Sequence, residues 1–160
     1  MDNKQQEREK NQDIKGSLVT SIDEKNKELF QGLVPDYILE GIEEQYRFGL
    51  GILGKEEEAE GVLIFDMQDG SNEEGEKLTV SKIQWLYVEE KYRKQGVADR
   101  LMQEYLTILQ KAGQRYVLCD LPIDGTYDLL CAYLQCWGFQ FGLTDQYELL
   151  VQMGDGKILD

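Results

Sequence analysis

Apolar residues recur along this chain with two periods, about two and about 3.6, and the switches between them divide it into short elements. Met1 to about Gly16 carries almost no apolar side chains, so burial cannot offset the entropy of ordering it, and residues 1–16 read as a flexible polar tail. Ser17 to Ile22 reads as a first short strand, and Asp23 as the N-cap of a short helix running through Phe30. Pro35, with its fixed φ, opens a second helix. Ile38, Leu39, Ile42 and Tyr46 then recur at helical spacing until about Arg47.

Strand character follows. Phe48 to Ile52 alternates by two, Gly61 to Phe65 is continuously apolar, and the charged turn Lys55 to Glu60 joins them as a hairpin. A polar loop from Asp66 to Lys77, with Asp69-Gly70 inside it, leads into a longer antiparallel strand, Leu78 to Val88. Ile83, Trp85 and Tyr87 alternate along it and are expected to share one core-packed face. Val97, Ala98, Leu101, Met102, Tyr105, Ile108, Leu109 and Ala112 mark one face of a long helix that Gly113 closes. Tyr116 to Leu121 is a further strand and Pro122 to Thr126 a turn. A helix runs from Tyr127 to Trp137, stopped by Gly138, and Phe139–Leu143 with Tyr147–Met153 reads as a final pair of strands.

Composition narrows the partners. With 160 residues and 41% hydrophobic content the chain can build one core, so a single domain over residues 17–160 is expected. Seventeen basic against 31 acidic residues give a net charge of −14, which repels nucleic acid and anionic membrane and draws in cationic amines. The absence of histidine removes imidazole bases and His-ligated metal sites. Three cysteines match neither a disulfide framework nor a zinc pattern, so a reducing compartment and no metal are expected, with Cys131 and Cys136 as buried fillers. The polar start and the lack of a membrane-length apolar run give a cytoplasmic reading.

The segment with chemical content follows Val88. A strand end, a loop with one glycine and a helix opening near Gly96 form an anion trap, because the first amides of a helix lack intrahelical acceptors and lie at the positive end of its dipole. Gly96 and Ala98 allow close approach to the backbone, while Arg93 and Lys94 add positive charge. The run Ile83-Gln-Trp-Leu-Tyr-Val-Glu-Glu-Lys-Tyr-Arg-Lys-Gln-Gly-Val-Ala98 resembles the fourth strand and the Arg/Gln-x-x-Gly-x-Gly/Ala loop of the GNAT superfamily of acetyl-CoA-dependent N-acyltransferases. Trp137-Gly138-Phe139 resembles that family's late Leu-Gly-Phe segment, and the likeness spans Phe48 to Met153.

The resemblance implies an α+β fold in αβα layers, with a mixed, mostly antiparallel sheet of six to seven strands and about four helices. It implies acetyl-CoA as cosubstrate: main-chain amides from Lys94 through Gln95, Gly96 and Val97 to Ala98, beside Arg93, hold the pyrophosphate, and the strand edge near Leu86 and Val88 pairs with the pantetheine arm. The family's acid tyrosine falls here on Leu134, with Tyr133 one residue and about 100° away around the helix. Tyr133 is therefore the candidate acid, with Tyr127 behind it. No carboxylate lies in Leu78 to Val88, so Asp120 is the candidate base, ahead of Asp66, and Gln84 can only position a water. Glu89, Glu90 and Asp99 are expected to face solvent, Asp99 stabilising the helix start. The acceptor is expected to be an amine in a small molecule or peptide. Two rivals stand beside an N-acetyltransferase, a non-catalytic acyl-CoA-binding or regulatory domain and a pure interaction module, and a homodimer is left open.

Overall fold

The structure, a computed structural model, describes residues 18–44, 46–71, 74–114, 116–120, 127–141 and 146–150. The expected tail and the turn at residues 122–126 lie outside these. In chain order the elements are β1 (Val19–Ser21), α1 (Lys27–Phe30), α2 (Asp36–Glu43), β2 (Phe48–Leu53), β3 (Ala59–Ser71) and β4 (Lys77–Val88). A 3₁₀ turn (Glu90–Tyr92) follows, then α3 (Val97–Lys111), β5 (Tyr116–Asp120), α4 (Tyr127–Cys136), β6 (Gln140–Phe141) and β7 (Gln146–Leu150). The strands form one sheet in the order β1-β2-β3-β4-β5-β7-β6. Every neighbouring pair is antiparallel except β4 and β5, which run parallel. A parallel pair needs a crossover, and α3 supplies it.

Helices cover both faces, giving the αβα layering expected from the sequence. On one face Leu63, Phe65, Ile83, Val117 and Cys119 pack with Leu101, Met102, Tyr105, Leu106 and Leu109 of α3 and with Leu134 of α4. The fully buried leucines of α3 each contribute about 1.5–3 kcal/mol by leaving water. On the other face Phe30, Leu33, Val34, Ile38 and Leu39 pack with Val62 and Ile64. The alternation of β2 suggests a strand with one covered face, yet Gly49, Leu50, Gly51 and Ile52 are all buried. Leu50 and Ile52 face α3, while a Cβ at Gly51 would stand 2.3 Å from the Phe30 ring, so the glycine makes the seat for α1.

Two boundaries and one residue's burial differ from the sequence reading. The expected loop Asp66 to Lys77 is mostly strand: β3 continues to Ser71 and pairs with β4 down to Ser71 opposite Lys77. Polar side chains suggested a loop, but ladder hydrogen bonds do not depend on side-chain polarity. The second helix stops at Glu43 rather than Arg47, with Pro35 as its N-cap. Arg47 turns back and donates from Nη1 to the Tyr37 carbonyl at 2.9 Å, which leaves Tyr46 half exposed instead of on the core face. Cys136, expected to be a buried filler, is exposed. No helix among the described residues is long and apolar enough to cross a membrane.

One irregularity in β4 positions everything that follows. Ile64 pairs with Trp85 and Phe65 with Ile83, so Gln84 is an extra residue, a β-bulge. A single extra residue inverts the alternation. Ile83 therefore faces α3 while Trp85 and Tyr87 face α1 and α2, contrary to the expectation that all three share a face. Trp85 is fixed there by its Nε1, which donates to the Leu33 carbonyl at 2.8 Å.

Candidate active site

β4 pairs with β5 only from Val80 to Ile83, opposite Tyr116 to Cys119. Beyond Ile83, no described strand pairs with Gln84 to Val88 on the β5 side, although β3 continues to pair on the other. The bulge falls where the two parallel strands part. The Glu89 amide donates to the Glu60 carbonyl at 2.9 Å, toward β3, and backbone direction alternates along a strand. Leu86 and Val88 therefore turn their N–H and C=O groups toward the open side. The Val88 carbonyl there accepts from Arg93 Nε at 3.0 Å.

The open edge runs into the loop. After the 3₁₀ turn, Arg93 is extended, Lys94 has φ +64° and Gly96 has φ +82°. A lysine in the left-handed region costs on the order of 1 kcal/mol, strain of the kind that collects at functional segments. Left-handed residues set among right-handed ones turn successive amides to one side, the concave arrangement that receives anions. None of the backbone N–H groups from Lys94 to Asp99 donates to a described protein acceptor, and Gly96 caps α3 without a side-chain hydrogen bond. A Cβ at Gly96 would meet nothing within 4 Å, so its backbone angle, not crowding, calls for glycine. At Gly61 the reverse holds: a Cβ would stand 2.7 Å from Val97 Cγ1, so this glycine lets the first turn of α3 lie against the sheet beside the edge.

The loop's side chains brace it. Arg93 lies with its guanidinium carbon 5.5 Å from the Tyr87 ring centroid, and Gln95 Nε2 donates to the Lys91 carbonyl at 3.0 Å. Arg93 and Lys94 add positive charge to a loop whose backbone amides lack described acceptors, and this donor set fits a diphosphate.

Between α3 and α4 an open groove of about 700 Å³ is lined by Asp99, Arg100, Gln103, Tyr133, Cys136 and Trp137. Tyr133 is half-buried against the α3-side core, beside Trp137, and its hydroxyl donates to Asp99 Oδ1 at 2.8 Å. Burial, and then the hydrogen bond to Asp99, push the Tyr133 phenol well above its ordinary range, so it keeps its proton. Leu134, at the position of the expected acid, is fully buried in the core. Asp99 is exposed as expected but is engaged by Tyr133. Asp120 ends β5 opposite Gln146, level with the parting of the strands, and its side chain lies outside the described ones, as does that of Tyr127.

The sequence reading missed two groupings. One is the Tyr133–Asp99 pair, which no local spacing signals. The other surrounds Asp66, whose Oδ2 accepts from Gln84 Nε2 at 2.8 Å and Gln68 Nε2 at 2.9 Å. A signal for the second was present. From Ile83 the next residue facing α3 is Leu86, a step of three where an unbroken strand would step by two.

An open strand edge leading into a loop of unpaired amides, on a mixed sheet between helix layers, defines an acyltransferase fold. The chain belongs to the Acetyltransferase (GNAT) family, whose pattern matches residues 19–129. Among solved structures it is similar to the GNAT family N-acetyltransferase YhbS from Escherichia coli, solved in complex with CoA, with TM-score 0.69, 18% identity, and coverage of 85% of this chain and 82% of that one. It is also similar to the aminoglycoside 6'-N-acetyltransferase AAC(6')-Ih from Acinetobacter baumannii, with TM-score 0.62, 17% identity, and coverage of 76% and 89%. A third is the AtaT toxin, a tyrosine-to-phenylalanine mutant bound to the C-terminus of the antitoxin AtaR and acetyl-CoA, with TM-score 0.61, 10% identity, and coverage of 83% and 93%. No curated protein matches the chain in sequence.

Proposed function

We propose that residues 17–160 act as one cytoplasmic domain that transfers an acetyl group from acetyl-CoA directly to a primary amine, on a small molecule or on a protein N-terminus or lysine. The observation that carries this reading is the β4 edge from Gln84 to Val88, unpaired on the β5 side among the described residues, running straight into the amides of Lys94 to Ala98, which have no described protein acceptor. Those amides, with Lys94 and Arg93, hold the diphosphate, and the N–H groups of Leu86 and Val88 with the Leu86 carbonyl pair with the amides of the pantetheine arm. The thioester supplies the activated acetyl group. In the transfer the lone pair of a neutral amine forms the C–N bond as the C–S bond breaks; sulfur gains a proton and nitrogen loses one. Tyr133 holds a proton beside the groove and supplies it to sulfur after leaving Asp99; Asp120 accepts the proton from nitrogen.

A second reading, an acyl-CoA-binding or regulatory domain without catalysis, gains support from the capture of the Tyr133 hydroxyl by Asp99 and the burial of Leu134. Thermal denaturation with acetyl-CoA, CoA and ATP, followed by thiol release with a panel of amines, separates the two. Acetyl-CoA and CoA at a hundredfold excess over Kd are expected to stabilise the protein by about 2.7 kcal/mol, and ATP by less. Tyr133→Phe is expected to slow thiol release by roughly a hundredfold. Stabilisation without thiol release selects the second reading; no stabilisation by either CoA species defeats both.

A further inference from the structure

At the parting of β4 and β5, on the sheet face away from α3, a carboxylate is buried among neutral donors. Asp66 is 8% exposed. Beyond the two bonds from Gln68 and Gln84, its Oδ1 accepts from the Lys82 backbone N–H at 3.2 Å. All three of these donors are uncharged amides that fix the orientation of the carboxylate, which can accept about four hydrogen bonds. Its backbone is fixed from across the sheet: Tyr105 Oη donates to Ser81 Oγ at 2.7 Å, and Ser81 Oγ donates to the Asp66 carbonyl at 2.7 Å. Every atom of that relay is buried, so Asp66 is held by the core and not by the surface.

Gln84 links this carboxylate to the open edge. It is the bulge residue, the first past the last β4–β5 pair, and half-buried. Because a carboxylate only accepts, Gln84 must turn its Nε2 toward Asp66, which leaves Oε1 as an acceptor that receives no bond from a described residue. We propose that Gln84 Oε1 receives an N–H of the acceptor amine where the strands part, and that Asp66 orients Gln84 for that contact. This deepens the transferase reading and rests on it. Gln84 is the contact with substrate and Asp66 a positioning residue that acts through it. The chain's net charge of −14 favours cationic acceptors during approach.

The test uses the full chain, with spermidine, kanamycin and a lysine-containing peptide as amine probes. Acceptor KM and acetyl-CoA KM are measured for wild type, Gln84→Ala and Asp66→Asn, together with the rise in Tm that each amine produces in CoA-saturated protein. For the best probe, both variants are expected to raise acceptor KM about tenfold, equivalent to about 1.4 kcal/mol, to leave acetyl-CoA KM within twofold, and to shrink the amine-induced shift. If Asp66→Asn loses its CoA-induced stabilisation, and so its fold, Gln84→Ala decides by itself. Acceptor KM within twofold of wild type in Gln84→Ala, or both KM values rising together, overturns the proposal while the transferase stands. A wild-type protein that releases no thiol with any probe overturns the transferase reading, and this one with it.

Discussion

The two halves of β4 use one backbone for two purposes. From Val80 to Ile83 it is paired on both sides, with β3 and with β5, and Ser81 and Ile83 point toward the core beneath α3. From Trp85 to Val88 it is paired, among the described residues, with β3 only, and the groups left over are main-chain amides and carbonyls facing the open side. A doubly paired strand can contribute to a ligand site only through side chains, whereas a singly paired one offers its backbone, which any sequence can supply. The bulge at Gln84 joins the two regimes, because the added twist turns the second half away from β5. Substitutions in the first region should therefore cost stability, and those in the second should cost ligand affinity.

The strongest way to break this division is to empty the doubly paired region. Phe65, on β3 opposite Ile83, is 2% exposed with its ring tilted against Tyr105 at a centroid distance of 4.7 Å, so Phe65→Ala is expected to cost about 3–5 kcal/mol in urea unfolding. CoA affinity per folded molecule should stay close to wild type; a parallel loss of affinity would show that the two halves are not separable. Next comes a pair of prolines in the singly paired region. Tyr87→Pro removes an amide that faces β3 and should destabilise by on the order of 2–3 kcal/mol. Leu86→Pro removes one that faces the open edge, and should destabilise less than Tyr87→Pro, through lost core contact of the Leu86 side chain alone, while weakening acetyl-CoA binding about tenfold, or about 1.4 kcal/mol, by calorimetry. Equal effects from the two would mean the edge is not where the cosubstrate pairs.

Alkaline pH probes the first region again. Burial pushes the Tyr105 phenol far above its ordinary value, so its folded pKa exceeds its unfolded one. Its contribution to stability is full below about pH 10, the unfolded value, and erodes above it by up to about 1.4 kcal/mol per pH unit as the unfolded chain alone ionises. In denaturation followed from pH 9 to 11, Tyr105→Phe should flatten that fall, and an unchanged slope would count against it. The smallest effect is expected at the loop: Gly96→Ala places a Cβ in open space but strains a residue at φ +82°, costing about 1 kcal/mol. A measurable part of that should appear as a smaller CoA-induced thermal shift.

Much of the scaffold was legible in the chain. The apolar face of α3 and its closure before Gly113 (φ +74°) followed from the 3.6-residue period and glycine's tolerance of left-handed geometry. The loop at Arg93 to Ala98 was marked by a lone glycine between a strand and a helix. What escaped was whatever depends on counting residues across a ladder. Trp85 and Tyr87 were placed on the wrong face because one extra residue, Gln84, reverses every side chain after it. Asp66 read as the start of a loop and proved to be a buried strand residue, because Lys82, Gln84 and Gln68 supply donors that only pairing brings near.

By itself the sequence determined the order of elements, the family and the segment able to hold an anion, since period, turn chemistry and unpaired helix amides are local properties. Only the tertiary structure decided where β4 and β5 part, that the Tyr133 hydroxyl meets Asp99 rather than the strand edge, and that Asp66 and Gln84 share a hydrogen bond. Those facts join residues 18 and 34 positions apart in the chain. Their distances are set by the packing of α3 on one face of the sheet and of α1 and α2 on the other, to which no local pattern refers.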